Sequence, residues 1–227
     1  MEKQEVHNGK KEKPSIIKVI WEPAEQFRKV GLNPIILVPM LILLAVNAIG
    51  TILTVSAIDF TELFEEIDIV VTAEMETAIS VIASLAGVVV ALITVALLIL
   101  ISAAVYMVIS KIAKKDVTFK QMFSMSTHLS IIGAIGVLLN GLIAFLTGDD
   151  STIAMYTSLA YLLGSENEVL MGIELFSIWG TLLIPVALQK VAGYSKKLSW
   201  GVAIGFFFLG LLFSYISMVM NALVETM

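Results

Sequence analysis

Few side chains in this sequence could do chemistry inside an apolar environment, and one of them is a carboxylate. The stretch MGIELFSIWGTLLIPVALQK, residues 171–190, is apolar enough to cross a bilayer yet carries Glu174 near one end. An acidic residue at mid-bilayer costs about 2.5–3.5 kcal/mol on insertion scales, so an intramembrane acid is by default a proton, cation or ligand group. The other strongly polar residues within apolar runs are Asn47, Asn140, Gln189 and Asn221. Measured from the lysine-bearing ends of their runs at 1.5 Å per helical residue, Asn47 lies about 20 Å in, Asn140 about 18 Å and Glu174 about 24 Å. The three share one layer. If they converge, a carboxylate beside two carboxamides suits a cation, a proton or the polar group of a lipid.

A plainer role competes for each. Glu174 opens its run from the acidic side, where orphan N–H groups and the helix dipole favour a carboxylate, so it is expected to mark the membrane edge rather than a buried site. Asn47 and Asn140 are expected to tie helices together, at typically ~0.6 kcal/mol per bond. His7 sits in the polar tail and His128 at the start of an apolar run, too few and too separated for a metal triad, and His128 is expected at the interface. Cysteine is absent, and no P-loop, Rossmann glycine pattern, HExxH or GxSxG occurs. No catalysis, no cofactor and no metal are expected.

The elements that position these residues follow from composition. Hydrophobic residues make up 58% of the chain and charged residues 15%, with mean hydropathy +0.96, well outside the range of a soluble domain. This pattern predicts an all-α integral membrane bundle. Five apolar runs reach the roughly 20 residues a crossing needs: 34–58, 77–110, 128–146, 171–191 and 200–223. The second is roughly 50 Å long as a helix, so its crossing is placed at 84–110 and its first turns project as a continuous helix or an interfacial segment. One domain over 15–223 is expected, behind a polar tail at 1–14. Pro39 and Pro185 should bend the first and fourth spans. Gly201 and Gly205 form a GxxxG pair, and Gly133, Gly136 and Gly141 populate the third span, so these are the expected helix-packing positions.

All 14 Lys and Arg fall before the first run, between the second and third, or from the last turn of the fourth, at Lys190, to the start of the fifth. The remaining two loops are acidic, with Asp59, Glu62, Glu65, Glu66, Asp68, Glu74 and Glu76 in one and Asp149, Asp150, Glu166 and Glu168 in the other. The basic segments are therefore predicted to be cytoplasmic, giving a multi-pass cell-membrane protein with its N-terminus inside, an uncleaved first span and its C-terminus outside. Basic segments attract anionic headgroups at about 1 kcal/mol per charge, although setting topology is the favoured role here. Nucleic acid is not an expected partner. In PSIIKVIWEPAEQFRKVGLNP, residues 14–34, apolar and charged residues alternate, Ser15 can cap and Pro23 suits a first turn. An amphipathic N-terminal helix in the inner headgroup layer is expected, anchored by Trp21 and Phe27, with Trp200 a further interfacial anchor. The segment STIAMYTSLAYLL, residues 151–163, has helical spacing and either lies on the outer leaflet or caps the bundle.

The order of elements resembles the Yip1 domain family over roughly residues 15–223. The resemblance is carried by WEPAEQFRKVGLNP, in which Trp21, Pro23, Phe27 and Pro34 match an aromatic-x-Pro-x(3)-Phe pattern, and by IELFSIWGTLLIPVALQKVAGYSKKLSW, in which an acidic residue precedes Phe176, Trp179 and a lysine-bearing turn. It implies five spans, a cytoplasmic N-terminus and an outward C-terminus. Eukaryotic members act with Rab GTPases and typically bear an Asp-Leu-x-Gly-Pro-type signature. This chain has VIWEPAEQ in that region, so Rab binding is not implied, and its short tail and lean loops look like the prokaryotic members. Two functions remain open: a non-catalytic adaptor or membrane organiser with a membrane, cytosolic or self partner, and a solute transporter or lipid-handling protein using Glu174, Asn140 and Asn47.

Overall fold

The computed structural model describes residues 12–65, 72–148, 155–165 and 167–225. His7, Glu66, Asp68, Asp149, Asp150, Glu166 and most of the polar tail lie outside the described residues, as do the side chains of Glu62, Glu65, Glu168 and Asn221. The helices are α1 (Pro23–Leu32), α2 (Leu37–Val55), α3 (Phe60–Glu65), α4 (Ala73–Ile112), α5 (Phe119–Leu129), α6 (Ile131–Thr147), α7 (Leu159–Leu163), α8 (Glu168–Met171), α9 (Leu175–Ala192) and α10 (Lys196–Glu225). The described residues hold five helical stretches long and apolar enough to cross a membrane: α2, α4, α5 with α6, α9 and α10. The architecture is all-helical, as the hydropathy pattern requires.

Boundaries differ where polar residues interrupt apolar runs. The third crossing starts at Phe119, nine positions before His128, because Thr118 and Gln121 form a reciprocal capping box: Gln121 N–H donates to Thr118 Oγ1 (3.2 Å) and Thr118 N–H donates to Gln121 Oε1 (2.8 Å). Part of the polar run that follows is tolerated because side chains return to their own helix. Thr127 Oγ1 donates to Phe123 O (2.9 Å), Ser130 Oγ donates to Ser126 O (3.0 Å), and His128 Nδ1 lies 2.7 Å from Ser124 O. Such back-bonding bends helices, and the chain turns at Ser130 between α5 and α6. His128 is therefore not interfacial: it is fully buried. The fourth crossing starts at Leu175, with Glu174 as its N-cap. Pro185 lies inside α9, whereas Pro39 lies in the first turn of α2, where an N–H has no intrahelical acceptor to lose.

Helix approach is set by glycines other than the GxxxG pair. A Cβ on Gly141 would run into the carbonyl oxygen of Gly50, and one on Gly50 would lie 2.9 Å from Leu138 N, so α2 and α6 cross with backbones in contact. Gly136 receives the ring of Phe176, with Cδ2 3.0 Å from where its Cβ would be. Gly201 and Gly205 on α10, and Gly133 on α6, have nothing within 4 Å of such a Cβ, so they are not packing positions within this chain.

The N-terminal segment forms a 3-10 turn (Ile17–Ile20) followed by α1, capped by neither Ser15 nor any other side chain. Pro23 opens α1, and Pro34 precedes α2 in the linking turn. Instead of floating in headgroups, α1 is fastened to the bundle. Gln121 Nε2 donates to Gly31 O (2.7 Å), Ser124 Oγ donates to Ile35 O (2.6 Å), and Gly31 approaches the backbone of Lys190 and Val191 on α9. Phe27 is consequently fully buried and is not a membrane anchor, while Trp21 and Trp200 remain 58% and 37% exposed. The amphipathic pattern is real, but its apolar face turns to protein.

Candidate functional site

At the acidic end of the bundle a short antiparallel bridge joins residue 158 to residue 174. Leu159 N–H donates to Ile173 O (2.8 Å) and Leu175 N–H donates to Thr157 O (3.1 Å). This pairing places Thr157 beside the start of α9, so the segment before α7 caps the bundle. Tyr156 and Ala160 are buried while Leu162 and Leu163 face outward.

Glu174 is 6% exposed and binds at both carboxylate oxygens. Oε2 accepts from Ser177 N–H (2.7 Å), the capping bond expected at a helix N-terminus, and Oε1 accepts from Thr157 Oγ1 (2.6 Å). Asn140 Nδ2 donates to Gly136 O (2.9 Å) and to Thr157 Oγ1 (3.3 Å), so Asn140, Thr157 and Glu174 form one hydrogen-bonded chain across α6, the cap and α9. Asn140 Oδ1 is buried without a hydrogen-bond partner. Asn47 is buried and donates to Leu43 O (2.9 Å) on its own helix. Gln189, toward the other end of α9, donates to Ser199 Oγ (3.0 Å) and has no part in this group.

Asn47, Asn140 and Glu174 line one cavity of about 950 Å³ between α2, α4, α6, α9 and α10. The sequence placed these three at one depth; Thr157 was missed, since only the bridge between distant segments brings it in. Ser130, Ser177, Ser214 and Ser217 also line the wall and were missed, because isolated serines in apolar helices are individually uninformative. The rest of the lining is mostly apolar, including Val95, Leu98, Val137 and Phe213. Among the described residues no Lys or Arg lines the cavity and no group of three or more acids or histidines is placed to hold a metal.

Residues 17–218 match the family model for the Yip1 domain. The chain belongs to the Yip1 domain family. Of the residues that carry the resemblance, three fall on packing positions, Phe27 in the α1 contact, Phe176 over Gly136, and Trp179 stacked on Phe176 with ring centroids 6.3 Å apart, whereas Trp21 is exposed. Membrane protein YknW of Bacillus subtilis strain 168 is 33% identical over 215 residues, covering 93% of each chain. No solved structure matches this Yip1 chain.

Proposed function

We propose that this Yip1 family member acts by binding rather than by catalysis, as a membrane organiser or adaptor that presents α10 to a partner helix. The basic segments face the cytoplasm of the cell membrane, with the N-terminus inside and the C-terminus outside, and contact anionic headgroups there. The supporting observation is the open, glycine-bearing face of α10. Its spanning stretch is as little buried as that of α4, 11% against 44% for α9, and on it Gly201, Gly205 and Gly210 are all exposed with open space where a Cβ would stand. Each glycine in a helix costs about 0.5–1 kcal/mol relative to alanine, and here no close approach within the chain offsets it. A partner helix would supply that approach. The test is the double variant Gly201→Leu/Gly205→Leu in intact cells: a defined oligomer or protein complex that disappears supports the reading, and an unchanged complex pattern refutes it.

A second reading, lipid handling, is favoured by the cavity that reaches Glu174. A bundle serving only as a scaffold has no need of a large hollow with a carboxylate in its wall. Comparing bound amphiphiles of the wild-type chain with those of a cavity-filling variant tests it.

A further inference from the structure

We propose that the cavity is a site for a protonated amine carried on an apolar tail, a cationic amphiphile that enters from the bilayer between α4 and α10. The proposal rests on the lipid-handling reading and specifies its ligand.

The hydrogen-bonding character of the wall selects a donor. Thr54 donates its hydroxyl to Gly50 O (3.1 Å), Ser130 to Ser126 O (3.0 Å) and Ser214 to Gly210 O (3.4 Å), so each hydroxyl presents its oxygen as an acceptor. Asn140 directs its N–H groups to Gly136 and Thr157, leaving a buried Oδ1 unpaired. Glu174 accepts from one backbone N–H and one hydroxyl, and a carboxylate has roughly four acceptor positions. Acceptors are plentiful, and among the described residues no cationic side chain lines the wall. A buried carboxylate without a counter-ion is costly, and an ammonium group, with three donors and a positive charge, supplies what is missing. An anionic ligand would meet the Glu174 carboxylate at an energetic penalty.

The shape supplies the tail. Tyr106 of α4 and Phe206 of α10 stack with ring centroids 4.9 Å apart, clasping the two helices toward their lysine-bearing ends. Val95 and Leu98 on α4, and Phe213 and Ser217 on α10, line the cavity up to about 16 Å beyond that clasp toward the acidic end. Leu98 and Phe213 are 57% and 64% exposed, so the mouth between the helices opens on the surface that meets lipid. A headgroup at Glu174 and Asn140 with a tail leaving past Leu98 and Phe213 satisfies both the polar floor and the apolar walls.

The test is native mass spectrometry of the full chain in detergent, titrated with dodecylamine, dodecanol, dodecanoate, ethylamine and phosphatidylethanolamine. The expected result is one dodecylamine retained at least tenfold more tightly than dodecanol or dodecanoate, with at least a tenfold loss in Glu174→Gln. Gly133→Leu, which fills open cavity space without touching the polar chain, should abolish retention while the protein stays folded. That second variant keeps the test decisive if Glu174→Gln does not fold. Retention of phosphatidylethanolamine alongside dodecylamine identifies the source as a membrane aminolipid, and retention of ethylamine as tightly as dodecylamine overturns the tail. Equal retention of dodecanol or dodecanoate, indifferent to Glu174→Gln, overturns amine selection but leaves lipid handling standing. If no amphiphile is retained, both fall.

Discussion

The α2–α6 crossing offers a perturbation whose sign can be worked out from two glycines on one helix. Adding a methyl at Gly141 places it against the carbonyl of Gly50 and 2.9 Å from Thr54 Oγ1. Neither obstacle is a flexible chain end: one is backbone, and the other is held to that same carbonyl by a 3.1 Å hydrogen bond. The helices must separate, which loses packing over their interface. Overpacking of this kind costs typically 1–3 kcal/mol, and disturbing the Thr54 bond adds about 0.6 kcal/mol. Against this, replacing a helical glycine by alanine gains about 0.5–1 kcal/mol. The net expectation for Gly141→Ala is a destabilisation of about 0.6–3 kcal/mol. Gly133→Ala, in the same helix with open space around its new methyl, should be neutral or up to about 1 kcal/mol more stable. Reversible unfolding of both variants in mixed micelles measures the difference directly. Gly141→Ala at or above wild-type stability would refute the close backbone crossing.

Other expectations follow from the same geometry. Phe27→Ala should destabilise the chain by about 3–5 kcal/mol because the ring is fully buried, whereas Trp21→Ala should leave unfolding in micelles nearly unchanged. Thr157→Val should cost about 1–3 kcal/mol in the same assay, since it leaves Glu174 Oε1 and Asn140 Nδ2 without their shared hydroxyl. Glu12, hydrogen-bonded to Lys29, and Glu25, hydrogen-bonded to Arg28, are each held below the ordinary carboxylate range. Their contribution is present above that range and is lost as pH falls below it through their lowered values. Because both are exposed, an acid titration monitored by unfolding should show only a small loss from this pair of contacts. Because the chain lacks cysteine, single cysteines at Lys114 and at Asp59 can be labelled with an impermeant thiol reagent on intact cells. Labelling at position 59 and not at 114 is expected, and the reverse would invert the proposed topology.

The fold was legible because crossing a bilayer demands long apolar runs, and that demand is written in composition. The start of the third crossing was not, since Ser124, Ser126, Thr127 and His128 read as a polar boundary although all four are buried, with Thr127 and His128 turned to i−4 carbonyls of their own helix and Ser124 bonded to Ile35 O. Which glycines pack was legible only in part: Gly136 and Gly141 pack as expected, whereas Gly133, Gly201 and Gly205 face open space and Gly50 was missed. In lipid both faces of a helix are apolar, so sequence period does not reveal which glycines turn inward. Phe27 was misplaced for a related reason: an amphipathic stripe shows that one face is covered, and only the bonds from Gln121 and Ser124 show that protein covers it. For the polar site, rise per residue placed Asn47, Asn140 and Glu174 at similar depth. The hydrogen-bonded link through Thr157 depends on the bridge between residues 157–159 and 173–175, a pairing of segments with no periodic signal.

The claim that this chain works through its membrane-embedded faces is tested most directly by cross-linking in intact cells. A single cysteine at Gly205, on the open face of α10, is compared with one at Leu142, an exposed position on α6 that the proposed contact does not use. A discrete adduct at position 205 that is absent at 142, and lost in the presence of Gly201→Leu, is the predicted result. Adducts absent at both positions, or equal at both, would contradict the claim.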